Sequence, residues 1–277
     1  MSREPVVAIV DMADGAEHAF EEAIELIGGL KELNTPKKSL VIKVGIFNHK
    51  SLAHSSVEVV GAITNAFDKS KDIRLVESDN YKGTGSERLK IWKDLYDKRV
   101  KAFNLSEDKD TLPVNVAGEK IPLSHVLFKP NVLVSTHILR GFDKGSILKN
   151  LLGFVPDRRK ARFHKNLEDA LLDMYEAVGG IDLAVLDASY AYTGTGDHPH
   201  ARPEDTKYRI RTNLIVVGKD AVAVETVGAK LAGLDLKKMK SINKAVKRGL
   251  GVCDLNKIEI RGMSLNEAKK RIPKSLK

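Results

Sequence analysis

One feature constrains this chain above all others. Short apolar runs rich in β-branched residues alternate with stretches of helical apolar spacing along most of its length. Residues 5–12 (PVVAIVDM), 39–47 (SLVIKVGIF), 73–79 (IRLVESD) and 131–138 (NVLVSTHI) read as strands. So do 182–189 (DLAVLDAS), 213–220 (NLIVVGKD) and 257–262 (KIEIRG). Helical patterns fall between them at 17–33, 57–67, 86–103, 145–153, 167–180 and 220–233. Ser55 or Ser56, Asp220 and Ser264 stand where short polar side chains cap helices. A strand that hands over to such a helix implies a parallel neighbour, because parallel strands need a long crossover.

The rhythm breaks once. LPVNVAGEKIPL, 112–123, alternates around a Gly-Glu-Lys turn, which predicts a hairpin. The expected fold is therefore α/β: a mixed, mainly parallel sheet flanked by helices, with a small β-hairpin inserted near the middle. It is read as a single domain over residues 1–277, and a hinge between two lobes would fall near 105–130.

Composition narrows the function classes. Of 277 residues 42% are hydrophobic, enough for a packed core rather than a disordered chain. The one cysteine, Cys253, leaves no disulfide scaffold and no iron–sulfur cluster bound by this chain alone, and reads as a small packed thiol. No apolar run reaches membrane-spanning length, and an acid inside the first five residues is unlike a signal peptide. A cytoplasmic protein with no membrane attachment is expected. The net charge of +9 is concentrated at one end: residues 237–277 hold thirteen Lys or Arg against three acids, and the rest is almost neutral. Such a segment can be a landing surface for RNA or an acidic protein partner, or simply a lysine-rich solvated face. No aromatic residue follows Tyr208, so it has no base-stacking platform.

The chemistry gathers at strand ends. In parallel sheets ligands bind beyond the carboxyl ends of the strands. There this chain places Asn48 and His49, Glu77 and Asp79, Thr136 and His137, and Asp187. Lys43, with Lys149, is a candidate to neutralise a bound phosphate or carboxylate. Carboxylates with imidazole can hold a divalent metal or move protons, so Glu77, Asp79, His137 and Asp187 are the metal candidates. His137, Asp187 and His164 are the catalytic ones. The bland alternative is that each acid caps a helix and each histidine packs under a loop. Two loops echo each other as Tyr81-Lys82-Gly83-Thr84-Gly85 and Tyr192-Thr193-Gly194-Thr195-Gly196, and their glycine amides can turn towards an anion. That makes Tyr81, Gly83, Gly85, Gly194 and Gly196 ligand-binding candidates, with Asn213 on the later strand. The segment 135–164 is dense in Arg140, Lys144, Lys149, Asn150, Arg158, Arg159, Arg162 and His164. A helix begun near Gly145 would aim its free amides at an anion, with Lys149 and Asn150 one turn inside. His198 and His200, two apart, do not by default share a metal.

Together these blocks resemble the domain-of-unknown-function 362 family, many of whose members carry a fused ferredoxin module. The resemblance rests on SLVIKVGIFNH, IRLVESDNYKGTG, the block from NVLVSTHILRG to ARFH, LAVLDASYAYTGTG, NLIVVGKDAVAVETVGAKLAG and RGLGVCDLNKIEIRG, in that order. Its most specific part is Thr136-His137, then Lys149-Asn150-Leu-Leu-Gly153, then His164. Two positions depart from the pattern: Ser135 replaces a lysine, and Asp220-Ala-Val-Ala-Val-Glu225 replaces a run ending in Asp. The cysteine-rich ferredoxin insert is absent. The resemblance implies this fold and a site, and no reaction. The leading expectation is a pocket for a small anionic ligand, with or without a divalent metal, in a chain whose status as an enzyme stays open. The alternative is binding of RNA or an acidic protein through 237–277, and the third is redox work beside a separate ferredoxin.

Overall fold

The computed structural model describes residues 4–49, 53–192, 209–272 and 276. The order begins β1 (Val6–Asp11), α1 (Ala16–Leu26), β2 (Leu40–Lys43), β3 (Ile46–Asn48), β4 (Ala53–His54), α2 (Val57–Ala66) and β5 (Ile73–Glu77). It continues α3 (Gly85–Leu89), β6 (Val100–Asn104), β7 (Thr111–Val116), β8 (Glu119–Ser124), β9 (Val132–Arg140), α4 (Leu167–Ala177) and β10 (Leu183–Tyr192). It closes with β11 (Arg209–Gly218), α5 (Ala221–Leu231), α6 (Lys240–Lys247), β12 (Glu259–Gly262) and α7 (Leu265–Arg271).

Eight strands form the main sheet in the order β12-β1-β11-β10-β9-β2-β5-β6. β11 alone runs against its neighbours; every other adjacent pair is parallel. This is the mixed, mainly parallel sheet the rhythm implies. One face packs Phe20, Ile24, Val59 and Ile63 of α1 and α2. The opposite face packs Leu171, Val224, Ile242 and Ala268 of α4 to α7. β7 and β8 form the separate antiparallel hairpin.

Away from the strand-end site, two expected helices come out differently, for local reasons. The predicted helix 86–103 yields only α3 and a 3-10 stretch, Lys90–Leu95. Asp97 Oδ1 then accepts from the amides of Arg99 and Val100 at 2.7 and 2.6 Å, a turn that replaces helical bonding and releases Val100–Asn104 as the edge strand beside β5. Helix α1 stops at Leu26 rather than residue 33, because Gly28 and Gly29 take positive φ and their amides close back onto Glu25 and Ile24. The hairpin turn is Ala117-Gly118, both at positive φ, and Glu119 and Lys120 already belong to β8. The Ala117 amide donates to Asp173 of α4 at 2.8 Å, which seats the hairpin on the helix layer.

The connections set where a ligand can enter. From β2 the chain crosses by α2 on one face to β5; from β9 it crosses by α4 on the other face to the opposite neighbour, β10. Strand order therefore reverses between β2 and β9, and the crevice beyond their carboxyl ends is where open α/β sheets bind ligands. There the backbones come unusually close. A Cβ on Gly45, just past β2, would lie 2.7 Å from His137 Cα on β9.

The basic C-terminal segment is tied to the sheet by Asp220. Its carboxylate accepts from the amides of Val222 and Ala223 at 2.9 Å, capping α5, and from Val252 at 3.0 Å. Replacing it as Asp220→Ala should cost about 1–2 kcal/mol, measured by urea unfolding. A loss under about 0.5 kcal/mol would show that water replaces the carboxylate.

Candidate functional site

At the switch point the strand ends carry a buried polar lattice. Lys43 closes β2 and is only 1% exposed. Its ammonium donates to Val44 O (2.8 Å), Glu77 Oε2 (2.6 Å) and Asn150 Oδ1 (2.9 Å), which uses all three of its protons. The Asn150 amide in turn donates to Lys43 O, Ser135 Oγ and Thr136 O. Lys43 and Asn150, both read from the sequence as ligand-binding, are thus spent on joining β2, β5, β9 and the 149–154 segment. Glu77 Oε1 accepts from the Ser78 amide and faces Arg88 at 3.2 Å. Burial alone would raise its pKa; Arg88, then Lys43 and Lys160, bring it down to about 2. Gly153 is obligatory here, since a Cβ would overlap Lys43 and come within 2.9 Å of Glu77.

Above this lattice opens a pocket of about 510 Å³. Among the described residues its wall contains Lys43, Arg88, Arg140, Lys149, Arg158 and Lys160, with His137 and His164, against the single carboxylate of Glu77. Ile46, Phe142 and Leu152 supply an apolar side. Lys160 donates to Ser78 Oγ, which donates to Gly153 O at 2.5 Å. Lys149 has no hydrogen bond or ion pair among the described residues. Burial, followed by the neighbouring Arg140 guanidinium, pushes the Lys149 amine down to about 7. Burial, partly offset by Glu77, does the same for Lys160.

His137 is 4% exposed, and its Nδ1 accepts from the Ile138 amide at 2.8 Å. The proton therefore sits on Nε2, the nitrogen left for the pocket. Burial, then Arg140 and Lys43, holds its pKa well below the ordinary value, so the ring is a neutral donor. This tautomer disfavours metal ligation through Nε2, which would leave an Nδ1–H facing the Ile138 N–H.

The 145–153 segment is not the α-helix its pattern predicts. It forms a 3-10 helix over Lys149–Phe154, and its leading amides do not face the pocket. The Ser146 and Leu148 amides donate to the buried Glu225 carboxylate of α5, each at 2.8 Å. A Cβ on Gly145, at φ +85°, would press on the same carboxylate at about 2.9 Å. The anion at that turn is the protein's own. Arg140 donates to Gly145 O at 2.6 Å beside it, and burial brings Arg140 to about 10, with Glu225 opposing the fall.

The other sequence candidates separate. Asp187 leaves the group: it lies opposite Ile138 in the β10–β9 register, and on its strand it alternates with Leu186, the residue opposite His137. Successive residues point to opposite faces, so Asp187 shares the α1–α2 side and accepts from the Ser56 amide at the start of α2 (2.7 Å) and from Ser189. Asp79 holds the Gly85 amide at 2.8 Å, Asn104 and Arg158, behind the wall rather than in it. Gly83 and Gly85 make no anion clamp, because their amides go to Asn80 O and Asp79. Tyr81, 72% exposed on that tight turn, does line the pocket, and exposed His164 stands at its rim. Asn213 bonds Arg211 and Met12 and is not part of the wall. Gly194, Gly196, His198 and His200 lie outside the described residues. Among the described residues, no three His, Cys, Asp or Glu side chains converge as a metal site. Glu77, Asp79, His137 and Asp187 are thus not gathered around one ion.

The sequence profile of the family described as Domain of unknown function (DUF362) matches residues 40–230, more than half the chain. The chain belongs to that family. No curated protein matches it as a relative. Every wall residue of the pocket falls inside the DUF362 span, whereas the basic segment 237–277 falls outside it. Among the described residues no helix is long and apolar enough to cross a membrane.

Sequence reading singled out His137, Lys149 and His164 but missed Arg88 and Lys160, and took Arg140 and Arg158 only as part of a basic stretch. Arg88 looks like an ordinary helix-surface residue in GSERLK. It is 2% exposed, donates to Ser78 O and Ile46 O, and keeps a buried Nε without a partner among the described residues. Lys160 sits among Arg158, Arg159 and Arg162; the apolar LLGFVP just before it was the available signal that this turn folds inward.

A half-buried lysine without a partner among the described residues is a liability for the DUF362 fold, so Lys149→Met should raise the melting temperature. The sign with pH follows from the lowered amine. Below about pH 7 both folded and unfolded chains hold the proton and the cost is complete. Above it only the unfolded chain does, so wild-type stability climbs with pH. The advantage of Lys149→Met should shrink between pH 7 and 10; one that is flat or grows would show that Lys149 is ordinarily solvated.

Proposed function

We propose that the protein binds a small anionic metabolite, carrying phosphate or carboxylate, in the pocket between β2, β5 and β9. The observation that carries this reading is the charge balance of the wall: among the described residues six cationic side chains line it with one carboxylate, which Lys43, Arg88 and the Ser78 amide already engage, while Arg158 also meets Asp79 behind the wall. A cation drawn into the wall without an ion pair, as Lys149 is among the described residues, is costly, and a bound anion relieves that cost. Arg140 and Lys160 are the anchors, His137 Nε2–H a neutral donor, Arg158 a rim contact, and Ile46, Phe142 and Leu152 the contacts for a carbon skeleton. The recognition is by side chains, because the nearby backbone amides already serve Glu225 and Asp79.

The basic segment 237–277 supports a nucleic-acid or acidic-protein reading less well. Lys244 and Arg248 are paired with Asp169, and Arg248 also with Asp173 and Glu176, while Arg271 is paired with Asp11. Part of its charge, including its most enclosed arginine pairings, is therefore answered within the fold. Neither a divalent metal nor a separate ferredoxin enters this reading.

Inorganic sulfate, ionised at all working pH values, is the simplest probe. An anion binds the ammonium forms, so binding takes up protons and weakens as pH rises through about 7, where Lys149 and Lys160 titrate. Calorimetry should show affinity falling towards tenfold per pH unit for each lysine that must be charged, and strongly reduced in Lys160→Met. Absence of sulfate binding at pH 6 would sink the reading.

A further inference from the structure

We propose that Lys149 captures, as an imine, the carbonyl group of a small anionic aldehyde or ketone held in this pocket; the inference rests on the anion reading above. The pocket holds three lysines, and their hydrogen bonds set them apart. Lys43 has given all three protons to Val44, Glu77 and Asn150, and is sealed from solvent. Lys160 is bound to Ser78 and faces Glu77, the carboxylate that favours its charged form. Lys149 has no hydrogen bond or ion pair among the described residues, and the charge that bears on it is the Arg140 guanidinium. An amine so placed loses its proton readily and keeps an available lone pair, the condition for attack on a carbonyl carbon.

The surroundings suit the rest of the step. Arg140, beside Lys149, can hold the carboxylate or phosphate of the same molecule, and stays charged because its own value falls only to about 10. Neutral His137 offers Nε2–H, a donor that can polarise the carbonyl oxygen without giving up a full proton. The Lys149 lone pair adds to the carbonyl carbon while the π pair moves to oxygen. Oxygen takes the proton that nitrogen sheds, and the resulting hydroxyl leaves as water with a second nitrogen-bound proton. One amine and one carbonyl become one imine and one water, with no oxidant or reductant.

Sodium borohydride trapping tests this, with pyruvate as the carboxylate arm and glyceraldehyde 3-phosphate as the phosphate arm. Wild-type protein at pH 7.5 is treated with each, and the adduct is located by intact mass and peptide mapping. With at least one arm, Lys149 should be labelled about tenfold or more faster than any surface lysine, since an ordinary lysine is almost wholly protonated there. It should also be labelled faster than Lys160, whose amine is bound to Ser78 and faces Glu77. Label chiefly on Lys160 overturns the assignment to Lys149. Excess sulfate should suppress the label, and Lys149→Met should abolish it while the far-ultraviolet circular dichroism is unchanged. Label spread evenly over surface lysines, or no label with either compound while sulfate still binds, overturns the imine and leaves the anion pocket standing. Loss of sulfate binding itself would remove the underlying reading instead.

Discussion

The site depends on one buried carboxylate holding together more positive charge than it can neutralise. Glu77 ends β5 under Lys43 from β2 and Arg88 from α3, with Lys160 close by. Breaking such a buried pair from one side strands an uncompensated charge, which is far more costly than the net worth of the pair. The arrangement therefore fixes the relative positions of β2, β5 and α3. It also uses up the one acid among the described wall residues, so Arg140, Lys149 and Arg158 line the pocket without a share in Glu77.

A second carboxylate plays a complementary part from behind. Glu225 reaches from α5 to the amides of Ser146 and Leu148 and occupies the place where a short helix would otherwise receive an external anion. Its burial is unfavourable and raises its pKa, with those amide bonds and Arg140 opposing the rise. The 145–154 turn is thereby held against the sheet with Lys149 at its entrance. Gly145 and Gly153 are needed because the two carboxylates and the Lys43 chain pass where a Cβ would sit. In the family blocks the acid at 225 and the glycine at 153 had looked like separate signatures; in space they bracket one turn.

Most of the fold was legible along the chain. β-branched runs and helical spacing located seven of the main-sheet strands. In the six inner ones burial on both faces demands continuous apolar residues, and the edge strand β12 showed through the alternation of KIEIRG. The edge strand Val100–Asn104 was not legible. One of its faces is solvated, and VKAF carries no signal that separates it from the helical pattern before it. The pocket was half legible. Residues at the ends of β2, β5 and β9 could be named, since parallel strands finish on one rim. Asp187 was misplaced because a rim says nothing about faces, and a shift of one residue along β10 decides between the α2 side and the α4 side. Arg88 and Lys160 escaped notice because their burial comes from segments more than thirty residues distant in the chain.

The amino-acid sequence alone determined the alternation of strands and helices, the parallel character of the sheet, the hairpin, and the concentration of basic and imidazole side chains near the ends of the strands. These are properties of local spacing, and spacing is what a linear string records. Only the tertiary structure decided which charges meet. It spent Lys43 and Asn150 on the lattice, turned the 146–148 amides onto Glu225, sent Asp187 to the far face, and left Lys149 unpaired at the mouth of the pocket. Pairing depends on distances of about 3 Å between residues more than a hundred positions apart, and no periodicity within the chain encodes that.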